Sequence, residues 1–217
     1  PHMSANEIVI AKGIVKRFGG FTALNGVDFT LKRGERLGLI GPNGSGKSTF
    51  VNCLTGALPF EAGSVHYEGQ DISKLAAWKR ARLGITRSFQ IPRPFRGLNV
   101  RQNMEVPLAF TVGMSDQSRI EEEADAVLDQ VGLLGKATNN PRSLSQVELR
   151  KLELGRALAG KPRVLIADEA MAGLSDSEVD EILELLMKLN KAGISIILIE
   201  HIMRAVVRFS ERVIVLV

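Results

Sequence analysis

The sequence predicts an α/β fold with a mostly parallel sheet, an N-terminal antiparallel β portion and an inserted α-helical lobe. Three observations support this prediction. A glycine-rich segment at residues 41–49 separates a β-branched run from a helical pattern, strand and helix patterns alternate after Pro162, and residues 100–159 between them are mainly helical. With 217 residues, of which 45% are hydrophobic and 24% charged, the chain fits one globular domain with its own core.

Glycines and β-branched residues alternate along the N-terminal part of the chain, which is typical of strands joined by turns. Strands are expected at residues 8–15, 27–31 and 36–40, with a further short strand at residues 63–69. Apolar residues at helical spacing predict helices over residues 47–57 and 75–83, and another strand follows at residues 85–90.

The pattern changes at Pro92 and Pro94, which break regular structure. Within the helical part that follows, residues 120–131 give the clearest amphipathic stretch. Later elements are a strand at 164–167, a helix at 178–191, a strand at 194–199, a short helix from 202 and a final strand. Because the late apolar runs are nearly continuous, they indicate parallel strands buried on both faces.

The net charge of +4 and the pI of 9.4 would allow binding to nucleic acid or to an anionic membrane surface. The lysines and arginines are scattered, however, which favours an ordinary solvated surface. The single cysteine, Cys53, cannot form an internal disulfide and indicates a reducing, cytoplasmic compartment. Since no apolar stretch approaches the ~20 residues of a membrane span, any membrane role is expected to be peripheral.

The strongest motif precedes and opens the first predicted helix and consists of Gly41, Pro42, Asn43, Gly44, Ser45, Gly46, Lys47, Ser48 and Thr49. Its glycines let backbone N–H groups turn toward phosphate oxygens at a helix N-terminus. Lys47 is expected to reach the β- and γ-phosphates, Ser48 to coordinate Mg²⁺ and Thr49 to hydrogen-bond the α-phosphate. An accidental glycine-rich turn would lack this strand, loop and helix context. The motif therefore predicts a P-loop NTPase core that binds a nucleoside triphosphate with magnesium.

A pair of carboxylates ends the buried run at residues 164–167. The carboxyl ends of parallel strands meet at one sheet edge, so Asp168 is placed to hold the magnesium shell. Glu169, one residue later, can polarise an attacking water. Two surface acids at a strand end are the alternative interpretation, but the phosphate loop favours hydrolysis.

Taken together, these motifs resemble the nucleotide-binding domain of ATP-binding cassette transporters over nearly the whole chain, which implies ATP as the nucleotide. Gln90 resembles the family's Q-loop glutamine, which touches magnesium and the attacking water. His201, after Glu200, matches the switch histidine that contacts the γ-phosphate. Phe18 matches the aromatic position that stacks on adenine, although a core aromatic is the alternative. The implied catalytic residues are Glu169, His201, Lys47 and Gln90, and the implied metal ligands are Ser48, Gln90 and Asp168.

The family's LSGGQ-type signature appears here as Leu144, Ser145, Gln146, Val147 and Glu148. In the family this segment closes over the γ-phosphate of the opposite subunit, which implies Ser145 as a contact in trans. Val147 puts a branched side chain where a glycine normally sits, which predicts weaker closure. Ser145 and Glu148 also match a capping box, which alone would explain both residues. In the D-loop at residues 172–175, Ser175 replaces the usual acidic or amide residue and puts the coupling role of that loop in question.

The resemblance also implies partners. Residues 89–95 and 199–203 look most like the ATPases of branched-chain amino acid importers. A second ATPase subunit, either identical or closely related, transmembrane permease subunits and, indirectly, an extracytoplasmic solute-binding protein are implied, with the chain peripheral on the cytoplasmic side of the cell membrane. No nucleic acid is expected. Four arginines stand where the family docks a coupling helix of its permease, although a solvated loop explains them as well: Arg87, Arg93, Arg96 and Arg101.

The predicted organisation is one ATP-binding cassette. Residues 4–90 and 160–217 form the α/β core, and residues 91–159 form the helical subdomain that bears the signature. Residues 1–3 are typical of a tag remnant, and a truncated C-terminus is expected because the chain stops within the strand-like run 213–217. Two other functions stay open: a soluble cassette ATPase that acts on nucleic acid or ribosomes, and a weakly hydrolysing, nucleotide-responsive subunit.

Overall fold

Two sheets and the helices around them make up the computed structural model, which describes residues 6–88 and 91–217. The strands are β1 (Glu7–Phe18), β2 (Phe21–Lys32), β3 (Arg36–Ile40), β4 (Ala62–Tyr67), β5 (Gln70–Asp71), β6 (Ile85–Ser88), β7 (Val164–Asp168), β8 (Ser195–Ile199) and β9 (Arg212–Val215). The α-helices are α1 (Lys47–Thr55), α2 (Ala77–Leu83), α3 (Val100–Pro107), α4 (Gln117–Gln130), α5 (Gln146–Ala159), α6 (Asp176–Lys191) and α7 (Met203–Phe209).

Five parallel strands form the central sheet, in the order β6-β7-β8-β3-β9. Strands β7 and β8 are buried along their whole length. Alternate residues face two different cores: Leu165 and Ala167 join a cluster with the helices, whereas Val164 and Ile166 join the cluster under the second sheet. Burial on both faces explains why the sequence shows continuous apolar runs here.

The second sheet is antiparallel, with strand order β2-β1-β4-β5. Helix α1 packs in the core that this sheet shares with the central sheet, and the ring centroid of its Phe50 lies 5.1 Å from that of Phe29 in β2. Cys53 of the same helix is fully buried. The start of α1, which carries the phosphate loop, is therefore fixed between two sheets.

Helices α3, α4 and α5 pack on one another and on the helical side of the central sheet. Pro107, which has no N–H to donate, ends α3, and a π-helical turn follows at Leu108–Val112. This turn was not predicted. Met104 and Leu128 share one core cluster with Leu183 and Leu198, so the proposed boundaries of the helical subdomain stay a prediction.

The predicted fold class is confirmed, including the mostly parallel sheet, the N-terminal antiparallel portion and the helical insertion. Element bounds differ where local chemistry decides them. Strand β1 extends to Phe18 because bulges absorb its irregular register, including one beside Gly13 (φ 61). Helix α6 starts earlier than expected because Ser175 and Glu178 form a capping box. Among the helices described, none is long and apolar enough to cross a membrane.

Candidate functional site

The predicted site residues lie where parallel strands of the central sheet end. Strand β3 leads into the phosphate loop, β7 ends at Asp168 with Glu169 next, and β8 leads to Glu200 and His201. Since all these strands run in the same direction, their carboxyl ends form one edge. Gln90 follows β6 in sequence but lies outside the described residues, so its contacts stay a prediction.

The phosphate loop passes so close to its neighbours that side chains would not fit at two of its glycines. A Cβ at Gly41 would lie 2.3 Å from the carbonyl oxygen of Leu216. One at Gly46, which has a φ of 92° and caps α1, would lie 2.9 Å from the carbonyl oxygen of Ala23 in β2. The loop is therefore held between β2 and the segment after β9 with its backbone conformation fixed.

Polar groups of the loop fit an anionic ligand. Lys47 is buried, and its Nζ donates to the carbonyl oxygens of Gly41 and, at 3.0 Å, of Pro42. The buried Ser45 Oγ has no hydrogen-bond partner among the residues that the structure describes. A cation that is held by neutral carbonyls, beside an unsatisfied hydroxyl at a helix N-terminus, suits a phosphate group. Thr49 is half-buried and Ser48 is exposed at the start of α1.

The residues of this site also fit a magnesium ion that binds together with a nucleotide. In the described part of the chain, no group of three or more histidines, cysteines and carboxylates could hold a metal on its own. Mg²⁺ in proteins often uses one or two carboxylates together with water and substrate phosphates. Asp168 and the Ser48 hydroxyl supply the protein part of such a set.

Asp168 is almost fully buried and has a cationic partner. Arg87, near the end of β6, donates from Nε at 3.1 Å and also from Nη2 to Asp168 Oδ2. The same guanidinium donates from Nη1 to Asn52 Oδ1 of α1 at 2.7 Å. The three contacts connect β6, β7 and α1 next to the phosphate loop. Sequence reasoning missed Asn52 and assigned Arg87 to a docking or solvated run.

Glu169 and His201, both predicted to act in catalysis, form a hydrogen-bonded pair. His201 Nε2 lies 2.8 Å from Glu169 Oε1. Glu169 adopts a φ of 48°, which is uncommon for a residue with a side chain, and its N–H donates to the Ile199 carbonyl of β8 at 2.8 Å. This backbone conformation holds the carboxylate at the sheet edge rather than continuing the direction of β7.

Glu200, between β8 and His201, is a second carboxyl behind this pair. Its side chain is buried and accepts a hydrogen bond from the Met171 N–H at 3.1 Å. Burial raises the pKa of Glu200, and the nearby Glu169 acts in the same direction. This hydrogen bond connects Met171, in the segment after Glu169, to Glu200, which directly precedes His201. The sequence marked Glu200 only as a neighbour of His201.

Phe18 ends β1 and is half exposed, which agrees with a role in stacking rather than in the core. The β1–β2 pairing puts it opposite Phe21, only a short way along β2 from Ala23, which contacts Gly46 of the phosphate loop. The Lys16 ammonium lies 5.3 Å from the Phe18 ring centroid. An aromatic face near the phosphate loop is suited to a base.

The signature segment starts α5, and its capping box is formed. Ser145 Oγ accepts from the Glu148 N–H at 3.3 Å, and Glu148 Oε2 accepts from the Ser145 N–H at 2.9 Å. Lys136 also contacts Glu148, and together with the Ser145 N–H it holds the pKa of that carboxyl below its usual range. Val147 packs against the helical cluster. The helix N-terminus therefore already carries an anionic group of its own.

The run of four arginines proves to be less uniform than the sequence suggested. Arg87 is largely buried against Asp168, so the solvated-loop interpretation was wrong for it, whereas its part in docking stays a prediction. Arg101 pairs with Asp125 of α4 at 2.6 Å. The Arg93 N–H donates to Glu153 of α5. Arg87 lies in a short strand that also contains Thr86 and Ser88, so the sequence carried no distinct signal for its pairing with Asp168.

Comparisons with known proteins agree with this geometry. The sequence profile of the family described as ABC transporter matches residues 24–172. The chain is similar to the methionine import ATP-binding protein MetN of Brucella abortus, with 38% identity over 219 residues that cover all of this chain and 59% of MetN. It is also similar to the high-affinity branched-chain amino acid transport ATP-binding protein BraF of Pseudomonas aeruginosa, with 33% identity over 98% of this chain and 89% of BraF.

Solved structures give the same relationship. A nucleotide-free ATP-binding cassette from an ABC transporter aligns with a TM-score of 0.88 and 30% identity, covering 97% of this chain and 87% of that one. A dimeric post-hydrolysis state of the ATP-binding cassette MJ0796, bound to ADP and Pi, aligns with a TM-score of 0.85 and 28% identity, covering 96% and 94%.

Proposed function

The chain belongs to the ABC transporter family, and on that basis we propose that it is the ATP-binding and ATP-hydrolysing subunit of a membrane import complex. An amino acid is the proposed cargo, because BraF is named for branched-chain amino acid transport and MetN for methionine import. The chain spans 59% of the length of MetN. Branched-chain amino acids are the favoured class, since BraF is matched over most of its length.

The hydrogen-bonded pair of Glu169 and His201, beside the phosphate loop, is the observation that carries the proposal. The loop alone supports binding, whereas a carboxylate that is held by a histidine at the same edge supports hydrolysis. Glu169 is the proposed base for the attacking water. His201 is the proposed residue that orients this carboxylate and contacts the γ-phosphate.

Lys47, with the N–H groups of the loop, would bind the β- and γ-phosphates. To do so, its ammonium must exchange the carbonyls of Gly41 and Pro42 for phosphate oxygens. Ser48, Asp168 and Gln90 are the proposed magnesium ligands. When bound, the metal would neutralise charge that develops on the phosphate oxygens.

A second ATPase subunit, a copy of this chain or a close relative, is proposed to complete the site by presenting Ser145 in trans. The formed capping box bears on how this happens. Ser145 Oγ and the Glu148 N–H already satisfy each other, and Glu148 carries a negative charge near the position that a γ-phosphate would approach. Closure would therefore require this end of α5 to rearrange, which supports the prediction of weak closure.

Docking to transmembrane permease subunits is proposed for a groove of about 440 Å³ between α2, α3 and α5. Its lining includes Phe95, Val106 and Phe110, and Phe110 is largely exposed. An exposed aromatic side chain in a groove suits the apolar face of a partner helix. On this proposal the chain is peripheral at the cytoplasmic side of the membrane, and an extracytoplasmic binding protein acts through the permease.

Co-purification with a multi-span permease, combined with ATP hydrolysis by the complex, tests the proposal. Phe110→Ser is expected to reduce recovery of the permease and to leave the hydrolysis rate of the detached ATPase unchanged. Val207→Ser is the matched control, because Val207 is equally exposed but lies on α7, away from the groove. Recovery that is equal for both variants would contradict the groove, and absence of hydrolysis in the complex would contradict the enzymatic role.

A weakly hydrolysing, nucleotide-responsive subunit is the second candidate, and the capping box at Ser145 is the observation that favours it. Single-turnover measurements with Mg-ATP distinguish the two candidates. Tight ATP binding with hydrolysis no faster than that of Glu169→Gln would favour the second. A clear difference between wild type and that variant would favour the first.

A further inference from the structure

The guanidinium of Arg87 occupies one oxygen of Asp168, a carboxylate that is proposed to hold magnesium. Two of its nitrogens, Nε and Nη2, donate to the same carboxylate oxygen, Oδ2. A further contact, to Asn52 Oδ1, anchors the group to α1. The Arg87 and Asp168 side chains are 16% and 11% exposed, so water screens the pair only weakly.

An arginine keeps its charge at all accessible pH values and presents its donors in a rigid fork. A carboxylate oxygen that accepts two of these donors has little capacity left for a divalent cation. Magnesium binding to Oδ2 must therefore displace at least one Arg87 contact or leave two cationic groups close together in a poorly screened environment.

We propose that Arg87 is a positioning residue. As a cation tethered to α1, it binds Asp168 Oδ2, and it releases this oxygen to a divalent cation when nucleotide binds. This inference rests on the proposed nucleotide site. Arg87 keeps the buried carboxylate paired while the site has no metal, and it thereby sets the magnesium concentration that the site requires. Asn52 determines how firmly the guanidinium is held.

Arg87 and Asn52 also line the groove between α2, α3 and α5. The same guanidinium therefore connects that groove to the carboxylate of β7. A segment that enters the groove can contact Arg87 without reaching the nucleotide.

Magnesium titration of the protein saturated with the nonhydrolysable ATP analogue AMP-PNP tests the proposal. The shift in thermal unfolding temperature and the heat of MgCl₂ binding are the two readouts. Arg87→Met is expected to lower the magnesium midpoint, the MgCl₂ concentration at half-saturation, about tenfold. This factor corresponds to the usual free energy of one hydrogen bond between charged groups. Arg163→Met, which removes the same charge at the opposite end of β7, is the control and should match the wild type.

Asn52→Leu provides a second test that leaves the net charge and the Arg87–Asp168 contact atoms in place. It is expected to lower the magnesium midpoint about threefold, since only the anchor of the guanidinium is lost. Arg87→Lys should fall between the wild type and Arg87→Met, because an ammonium cannot bridge both partners.

Unchanged or higher magnesium midpoints in both Arg87→Met and Asn52→Leu, with AMP-PNP binding intact, would overturn the proposal. If Arg87→Met does not fold, the midpoint of Asn52→Leu decides the matter alone. Failure of the wild type to bind AMP-PNP would instead contradict the proposed function, so the two failures are distinguishable.

Discussion

Replacing Glu169 by glutamine removes a proton acceptor and leaves a side chain of nearly the same size. The Glu169 side chain is 18% exposed and contacts His201 Nε2 at 2.8 Å. Glutamine retains an oxygen that can accept from this nitrogen, so the pair and the fold should persist. The substitution therefore isolates the chemistry of the carboxylate from its role as a neighbour.

The expected loss of turnover is about a hundred- to ten-thousandfold, which is the usual worth of a general base. This range corresponds to roughly 3 to 5 kcal/mol in the activation barrier. Nothing in the exchange leaves a buried group without a partner, so the free energy of unfolding should change by less than about 1 kcal/mol. A large kinetic effect is thus expected without a comparable loss of stability.

Single-turnover hydrolysis of Mg-ATP measures the effect, and gel filtration with Mg-ATP measures dimer formation. Glu169→Gln should hydrolyse slowly and accumulate as an ATP-bound dimer. Glu184→Gln, an exposed carboxylate on α6, is the control and should behave like the wild type. Turnover of Glu169→Gln within about tenfold of the wild type would refute the assignment of Glu169 as the base.

Three further predictions concern positions around this site. Val147→Gly should raise ATP turnover and the fraction of dimer in gel filtration with ATP, and it should lower the free energy of unfolding by about 1 kcal/mol. If neither the turnover nor the dimer fraction changes, this prediction is contradicted. Glu200→Gln removes a carboxyl whose raised pKa makes the protein lose stability as pH rises above the ordinary value of 4.5. The variant should therefore gain thermal stability relative to wild type as pH rises above that value, and parallel curves of unfolding temperature against pH would contradict this. Arg80→Met should lower the free energy of unfolding in urea by about 3 to 5 kcal/mol. The reason is that buried Arg80 donates to several carbonyls, including those of Cys53 at 2.9 Å and Leu75 at 3.0 Å. A loss below about 1 kcal/mol would contradict this account.

The phosphate loop could be predicted from the sequence because its function depends on local backbone form. Glycine at position 46 is required by a positive φ, a requirement that acts within the loop itself. Asp168 was equally visible, since an apolar run that ends in an acid marks the end of a buried strand. Such features need no knowledge of which strand lies beside which.

Arg87 and Glu200 could not be assigned in the same way. The partners of Arg87 come from β7 and α1, and only the strand order brings β6 next to β7. The burial of Glu200 depends on the segment after Glu169 folding over it. For Ser145, even the structure of one chain leaves the predicted trans contact untested, because that contact requires a second subunit.

The strand order also has a consequence for folding of the chain during its synthesis on the ribosome. Strand β1 pairs with β2, which follows it directly, whereas the neighbours of β3 among the described strands lie far later in the sequence: Arg36 pairs with Ile196 of β8, and Leu37 with Arg212 of β9. Pairings across such long sequence distances form slowly, because the loop between them must close first. The nascent chain thus carries its phosphate loop on an unpaired apolar strand until β8 and β9 emerge. The nucleotide site can therefore assemble only after β8 and β9 have been synthesised.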